Sequence, residues 1–271
     1  MAITSMDGVI AGGRPPIYYR STISGGLGEP PWFTPFYLAS IPGAAAAPTS
    51  GMSGTALTSY PGQIPFTNPP VGQSTYLTRF SANPLRSGGG AMLADRLWHS
   101  SGINLNTPAV QTVNSVAFPP RDVNQSSDGE GVYIAVEIAT TLGSGNAVFE
   151  LSYTNSAGVA GRLGYTIPDN IGSSQPSGTF CCFSLQSGDS GVRSVQSIRL
   201  TAGGYLVGTM GLVAYRPISL ITCIPNALSL GVDCLTGAMP ELFNDSVPFL
   251  VFRPDTNTAT EFESLIVFSQ G

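Results

Sequence analysis

Apolar and polar residues alternate through the second half of the chain. In residues 132–139, Val132, Ile134, Val136 and Ile138 alternate with Tyr133, Ala135, Glu137 and Ala139, the period of two of a β-strand. Residues 147–154 place Phe149, Leu151 and Tyr153 on one face, and Asn155-Ser156-Ala157-Gly158 supplies a turn. Further apolar runs of strand length fall at 161–167, 179–185, 192–201, 205–215 and 218–224, and residues 248–253 and 261–268 close the chain. Gly, Ser, Asn and Pro separate them. This spacing predicts an antiparallel sandwich or jelly roll.

The first 90 residues lack that period. Of 22 prolines, 15 precede residue 121, and Gly/Pro-rich stretches fall at 12–16, 25–35, 41–54, 61–72 and 87–90. Proline removes ladder donors and glycine costs entropy, so long helices and central strands are not expected here. The aromatic residues Tyr18, Tyr19, Trp32, Phe33, Phe36, Tyr37, Tyr60, Phe66, Tyr76 and Phe80 separate this stretch from a disordered tail. It reads as an extended arm built to lie along another surface, with short hairpins such as one around 76–80. Residues 90–100 read as a short connector helix, with Met92, Arg96 and His99 on one side, Leu93 and Leu97 on another, and Gly102 at the C-terminal cap. The predicted fold is therefore all-β. An extended Gly/Pro-rich arm (1–90) precedes an antiparallel, jelly-roll-like β-sandwich body (91–220), and a C-terminal β segment (221–271) packs on that body.

Composition narrows the functional classes. Only 10% of the 271 residues are charged, against about 25% in an average globular chain. All 11 basic residues are Arg, and 16 acidic residues bring the net charge to -5. Such a balance offers no footprint for nucleic acid or an anionic membrane. No apolar window approaches the ~20 residues of a membrane span, and residues 1–16 lack the pattern of a secretory signal. Cys181 and Cys182 point to opposite faces of a strand and no CxxC occurs. A disulfide between Cys223 and Cys234 is open, but free buried thiols suit a protein made in cytoplasm better. With one His, metal centres and His-based catalysis are hard to assemble, so no cofactor is expected. The balance points to a structural protein, not an enzyme.

Three motifs carry candidate chemistry. Gly188-Asp189-Ser190-Gly191 resembles the nucleophile signature of trypsin-like proteases, and His99, Asp122 and Ser190 occur in that family's order. Yet His99 lies in Leu-Trp-His-Ser-Ser-Gly, Val192 replaces the second glycine, and the segment reads as a tight turn between strands. Asp122, Asn124 and Asp128 alternate oxygen donors along a loop, the spacing of a weak, structural calcium site, although an Asx-rich turn looks the same. Gly88-Gly89-Gly90 has no Lys and no preceding apolar strand, so it reads as a flexible joint and not a phosphate loop.

Residues 95–138, 150–162, 185–200 and 211–219 resemble tailed-bacteriophage head-associated proteins, sharing with them a Leu/Trp-rich turn, Arg-Asp with Gly-Glu-Gly, Tyr-Thr-Asn, Gly-Arg and Gly-Asp-x-Gly-Val in that order. The resemblance covers roughly residues 91–220 and transfers no active-site residues. It implies a virion structural protein at the phage head surface, made in the bacterial host cytoplasm. One such role is a capsid decoration (cement) protein, assembled as a homo-trimer on the major capsid protein. The alternative is a tail, collar or fibre component. Trp32, Phe33, Phe36, Tyr37, Phe66 and Trp98 are the expected interface anchors.

Overall fold

A computed structural model of the chain describes residues 3–23, 32–38, 40–86, 88–167, 171–224, 230–255 and 260–271. Apart from one short helix, α1 (Met6–Ala11), and a single 3-10 turn (Pro35–Tyr37), the regular structure among these residues is β. The N-terminal region holds β1 (Ile17–Ile23), β2 (Trp32–Phe33), β3 (Ser40–Ile41), β4 (Thr55–Ala56) and β5 (Thr75–Pro84). Then come β6 (Gly89–His99), β7 (Gln111–Thr112), β8 (Tyr133–Thr140), β9 (Gly145–Asn155), β10 (Arg162–Ile167) and β11 (Thr179–Phe183). The chain continues through β12 (Val192–Tyr205), β13 (Thr209–Cys223), β14 (Leu230–Asp233), β15 (Glu241–Leu242), β16 (Pro248–Pro254) and β17 (Thr260–Gln270).

The strands form two antiparallel sheets. The smaller runs β14-β5-β17-β1-β3, with β15 also on β5. Its centre is β17, whose Ile266 lies opposite Phe80 of β5 on one side and Ile17 of β1 on the other. The larger sheet runs β2-β16-β6-β13-β8-β11 and returns to β2, because Phe33 pairs with Phe252 of β16 and with Thr179 of β11. Six strands thus close into a barrel, which removes their edges. From β11 the sheet continues as a wing, β10-β9-β12-β7.

Three cores follow from this arrangement. Inside the barrel lie Phe36, Met92, Ala94, Ala135, Phe180, Val213, Tyr215, Phe249 and Val251. The outer side of β8 and β13 (Ile134, Val136, Ile138, Leu212, Ala214) packs on the wing through Phe149, Leu151, Val195 and Ile198. The smaller sheet covers Ala91, Leu93, Leu250 and Phe252 with Leu77, Phe80, Phe262 and Ile266.

Residues 90–100 are not a helix. All but Ser100 belong to β6, which reaches all three cores: Ala91 and Leu93 face the smaller sheet, Met92 and Ala94 the barrel interior, and Leu97 and Trp98 the wing. Apolar residues of β6 pack on both faces of the strand, so its sequence shows no regular period of two. Nor are Gly88–Gly90 a joint. Gly89 opens β6 at φ +134°, and a Cβ there would lie 1.8 Å from the Arg253 carbonyl oxygen.

The N-terminal region divides. β1 and β5 are full members of the smaller sheet, whereas residues 43–54 and 57–74 carry no strand and are punctuated by turns at 51–54, 60–63 and 70–73. They lie along the chain's own body. Ala45 N–H donates to the Phe36 carbonyl, Leu57 N–H to Leu97, Ile64 N–H to Pro248 and Ser101 N–H to Gly51.

Candidate functional site

The acidic loop is organised around one carboxylate. Asp122 Oδ1 accepts from the N–H groups of Asn124 (2.9 Å) and Ser126 (2.7 Å). Its Oδ2 accepts from Ser126 Oγ (2.7 Å) and from Gly129 and Glu130 N–H (3.0 and 3.3 Å). Burial alone would raise this carboxyl's pKa, but the Ser126, Asn124 and Glu130 bonds outweigh it and hold the pKa below its usual value. Asp128 instead pairs with Arg193. Asp122 is therefore the acceptor of an Asx-type turn, and five hydrogen bonds compete with any cation for its two oxygens. Among the described residues, no three His, Cys, Asp or Glu side chains gather as a metal site.

Residues 188–191 lie in the connection between β11 and β12, where Asp189 N–H donates to the Gln186 carbonyl and Gly191 bridges to Glu130. Asp189 accepts from Tyr153 Oη (2.6 Å), Asn155 Nδ2 (2.7 Å) and Arg162 Nε (2.9 Å). The Arg162 bond, aided by those of Tyr153 and Asn155, holds its pKa at about 2 against the effect of burial. Ser190 Oγ donates to Glu130 Oε2 (2.6 Å) and meets Ser156 Oγ (3.0 Å). His99 lies on the barrel-facing side of β6, edge-on to Tyr60 at 4.7 Å between ring centroids, and its Nδ1 has no partner among the described residues. Burial, with Arg96 adding to it, pushes the imidazole pKa down to about 3. Among the described residues, no hydrogen bond or ion pair joins His99, Asp122 and Ser190, and the arrangement that a hydroxyl nucleophile requires is not built.

The most buried polar chemistry lies outside these motifs. Inside the barrel, Arg96 grips Glu137 in a two-pronged pair, Nη1–Oε1 2.8 Å and Nη2–Oε2 2.5 Å. Tyr37 Oη donates to the same carboxylate at 2.5 Å, and the Arg96 guanidinium lies 4.5 Å from the Phe36 ring centroid. On the other face of β6, Asp95 accepts from Arg121 Nε (2.9 Å) and Nη2 (3.2 Å), Ser246 Oγ (3.1 Å) and Val247 N–H (2.8 Å). The available signal in the sequence is a charged pair, Asp95-Arg96, inside an otherwise apolar run, with Glu137 set likewise within β8.

The six expected anchors separate by burial. Phe33, Phe36 and Trp98 are 2%, 4% and 0% exposed, so they are core residues of this chain and cannot face a neighbour. Phe36 stacks on Tyr60, and Trp98 Nε1 donates to the Ser53 carbonyl at 2.9 Å. Tyr37 spends its hydroxyl on Glu137. Trp32 and Phe66 are only half-buried. Trp32 lines a trough at the barrel mouth with Gly90, Leu220 and Arg253, and Phe66 lines a groove beside Pro15, Pro16 and Phe268. The large exposed apolar side chains include Leu206 and Val207 before β13 and Leu220 and Ile224 at its far end, each at least half exposed. All four cysteines are free thiols. Cys181 joins the wing core and Cys182 the barrel side, the opposite faces expected of neighbours in a strand.

No protein-family model matches the chain, and no curated protein sequence does. Among solved structures, one of the infectious bursal disease virus Gt strain aligns over 94% of this chain and 80% of its own, at 9% identity and a TM-score of 0.22. The infectious bursal disease virus VP2 subviral particle aligns over the same shares, at 9% identity and a TM-score of 0.22. The human polyomavirus 6 VP1 pentamer aligns over 94% of each chain, at 10% identity and a TM-score of 0.15. Similarity this low carries no argument for a shared fold or role.

Proposed function

We propose that this chain is a non-enzymatic virion structural protein of the capsid decoration (cement) type, binding between capsomers and stabilising a phage head. The observation that supports this reading is how the side chains divide their work. The carboxylates and hydroxyls that the sequence marks as candidate chemistry are bonded within the chain, while large apolar side chains stand exposed at both ends of β13. Exposed apolar surface of this kind serves contact and not turnover. Support also comes from the closed barrel and from β17 at the centre of the smaller sheet, since extensive β pairing favours slow unfolding. The resemblance of residues 91–220 to tailed-phage head-associated proteins points the same way.

In this reading Trp32 and Phe66 are the anchors, copies associate as a homo-trimer, and each contacts the major capsid protein at the head surface. Weak contacts repeated over a symmetric shell add as avidity. Quantitative mass spectrometry of purified source particles tests this. A copy number near that of the main shell protein, or a simple fraction of it, is expected. A few copies per particle would move the protein to the tail or collar, and absence would overturn the virion reading.

A further inference from the structure

A cleft of about 390 Å³ opens where the loop after β15 meets the extended arm and the acidic loop. One wall is the half-buried ring of Phe243. Arg216 does not line the cleft. Its guanidinium lies over that ring 4.5 Å from the centroid and donates to the Glu241 carbonyl. The cleft is also lined by Gln73, Gln125, Asn244 and Glu241, whose side chains make no hydrogen bond or ion pair among the described residues. Arg121 also reaches the cleft, but each of its guanidinium nitrogens already donates, to Asp95, Leu57 or Arg96.

These groups select a chemistry. A phosphate or carboxylate needs a free cation, and the cleft lining offers none among the described residues while presenting the Glu241 carboxylate. A purely apolar ligand would strip water from three amides and a carboxylate without replacing their bonds. A pyranose answers both demands. Its C–H face lies flat on an aromatic ring, and its hydroxyls donate to carboxylate and amide oxygens while accepting from amide N–H groups. The volume lies within the range of ligand sites, roughly 300–1,000 Å³, at its small end.

We propose that this cleft binds a neutral carbohydrate of one or two sugar rings, with Phe243 as the platform and Gln73, Gln125, Asn244 and Glu241 as the hydroxyl-binding groups. This site goes beyond the assembly role and stands or falls independently of it.

Saturation-transfer NMR on the full chain tests the site with glucose, galactose, mannose, N-acetylglucosamine and the anionic N-acetylneuraminate, each as the free sugar. Transfer to at least one neutral sugar is expected, with affinity reduced about tenfold or more in Phe243→Ala. Because that variant also uncovers Arg216, Asn244→Ala is measured beside it. The Asn244 side chain is exposed and bonded to nothing among the described residues, so its loss should weaken the same sugar while leaving the melting temperature unchanged. No transfer to any neutral sugar, binding to N-acetylneuraminate alone, or unchanged binding in Asn244→Ala would each overturn the proposal.

Discussion

Asp95 and Arg96 are neighbours on β6, yet each is locked in a separate buried ion pair on an opposite face of the strand. Arg96 meets Glu137 inside the barrel with both side chains at most 1% exposed. Buried pairs contribute little net stability when intact but are costly to break, because the survivor keeps its charge without water. Glu137→Ala is therefore expected to destabilise the fold by about 3–5 kcal/mol in urea unfolding. Replacing both partners, as in the Arg96→Met, Glu137→Leu double variant, should recover most of that loss. A single variant within about 0.5 kcal/mol of the natural protein would show that water reaches the barrel interior.

The strands that could be read from the sequence have one apolar partner layer on one face and polar or small residues on the other. In β9, Phe149, Leu151 and Tyr153 are buried while Val148, Ser152 and Thr154 are less so. β6 hid because its two faces and its bulge feed three cores, which erases any regular period. Barrel closure hid for a different reason. It rests on β2, a two-residue strand in a Pro-rich stretch, whose pairing with β11 and β16 is set by distant partners. The aromatic residues of the arm did mark an anchored segment. Local sequence cannot tell whose surface receives the anchors, and for Phe33 and Phe36 it is the chain's own. Polar residues are ambiguous in a similar way: Asp122 and Asp189 resemble functional carboxylates because structural acceptors in tight turns need the same residue types.

Asp189 should shape the acid limb of stability. Its folded pKa is about 2, set first by Arg162, whereas an unfolded Asp titrates near about 3.9. A depressed carboxyl contributes stability that is present above about pH 4 and is lost as the pH falls towards 2. Urea unfolding of Asp189→Asn at several pH values should give a flatter dependence across that window. An unchanged slope would mean the Arg162 contact does not persist in solution.

His99 makes a second prediction, of opposite charge type. Its folded pKa is pushed down to about 3 by burial and by Arg96, while an unfolded histidine titrates near about 6.5. Acid therefore protonates the unfolded chain first, and stability from the neutral ring declines as the pH drops below about 6.5. The chain holds a single His, so its imidazole resonances are unambiguous by NMR. They should not move between pH 8 and 5. A titration centred near 6.5 would place the ring in water.

Two glycines with positive φ should behave unequally. Gly89→Ala would drive a Cβ against the Arg253 carbonyl, where β6 pairs with Pro254 and Cys223, and is expected to cost at least about 2 kcal/mol. Gly51 has φ +72°, but an added methyl would meet nothing within 4 Å, so Gly51→Ala carries backbone strain alone, about 1 kcal/mol. Equal costs in urea unfolding would argue against the tight start of β6.

Burial also separates assembly variants from folding variants. Trp98 and Phe33 fill cores of this chain, and large-to-small changes at such sites cost about 3–5 kcal/mol. Trp98→Ala and Phe33→Ala should therefore lower the melting temperature sharply, and reduced incorporation into particles would follow only from poor folding. Trp32 and Phe66 are half-buried at the edges of open troughs, so alanine there removes contact surface with a smaller loss of stability. If they are anchors, particles from cells expressing Trp32→Ala or Phe66→Ala should carry fewer copies while the purified variants still melt cooperatively. Full occupancy with both replaced would move the contact surface elsewhere, with the exposed Leu206-Val207 pair as the next site to truncate.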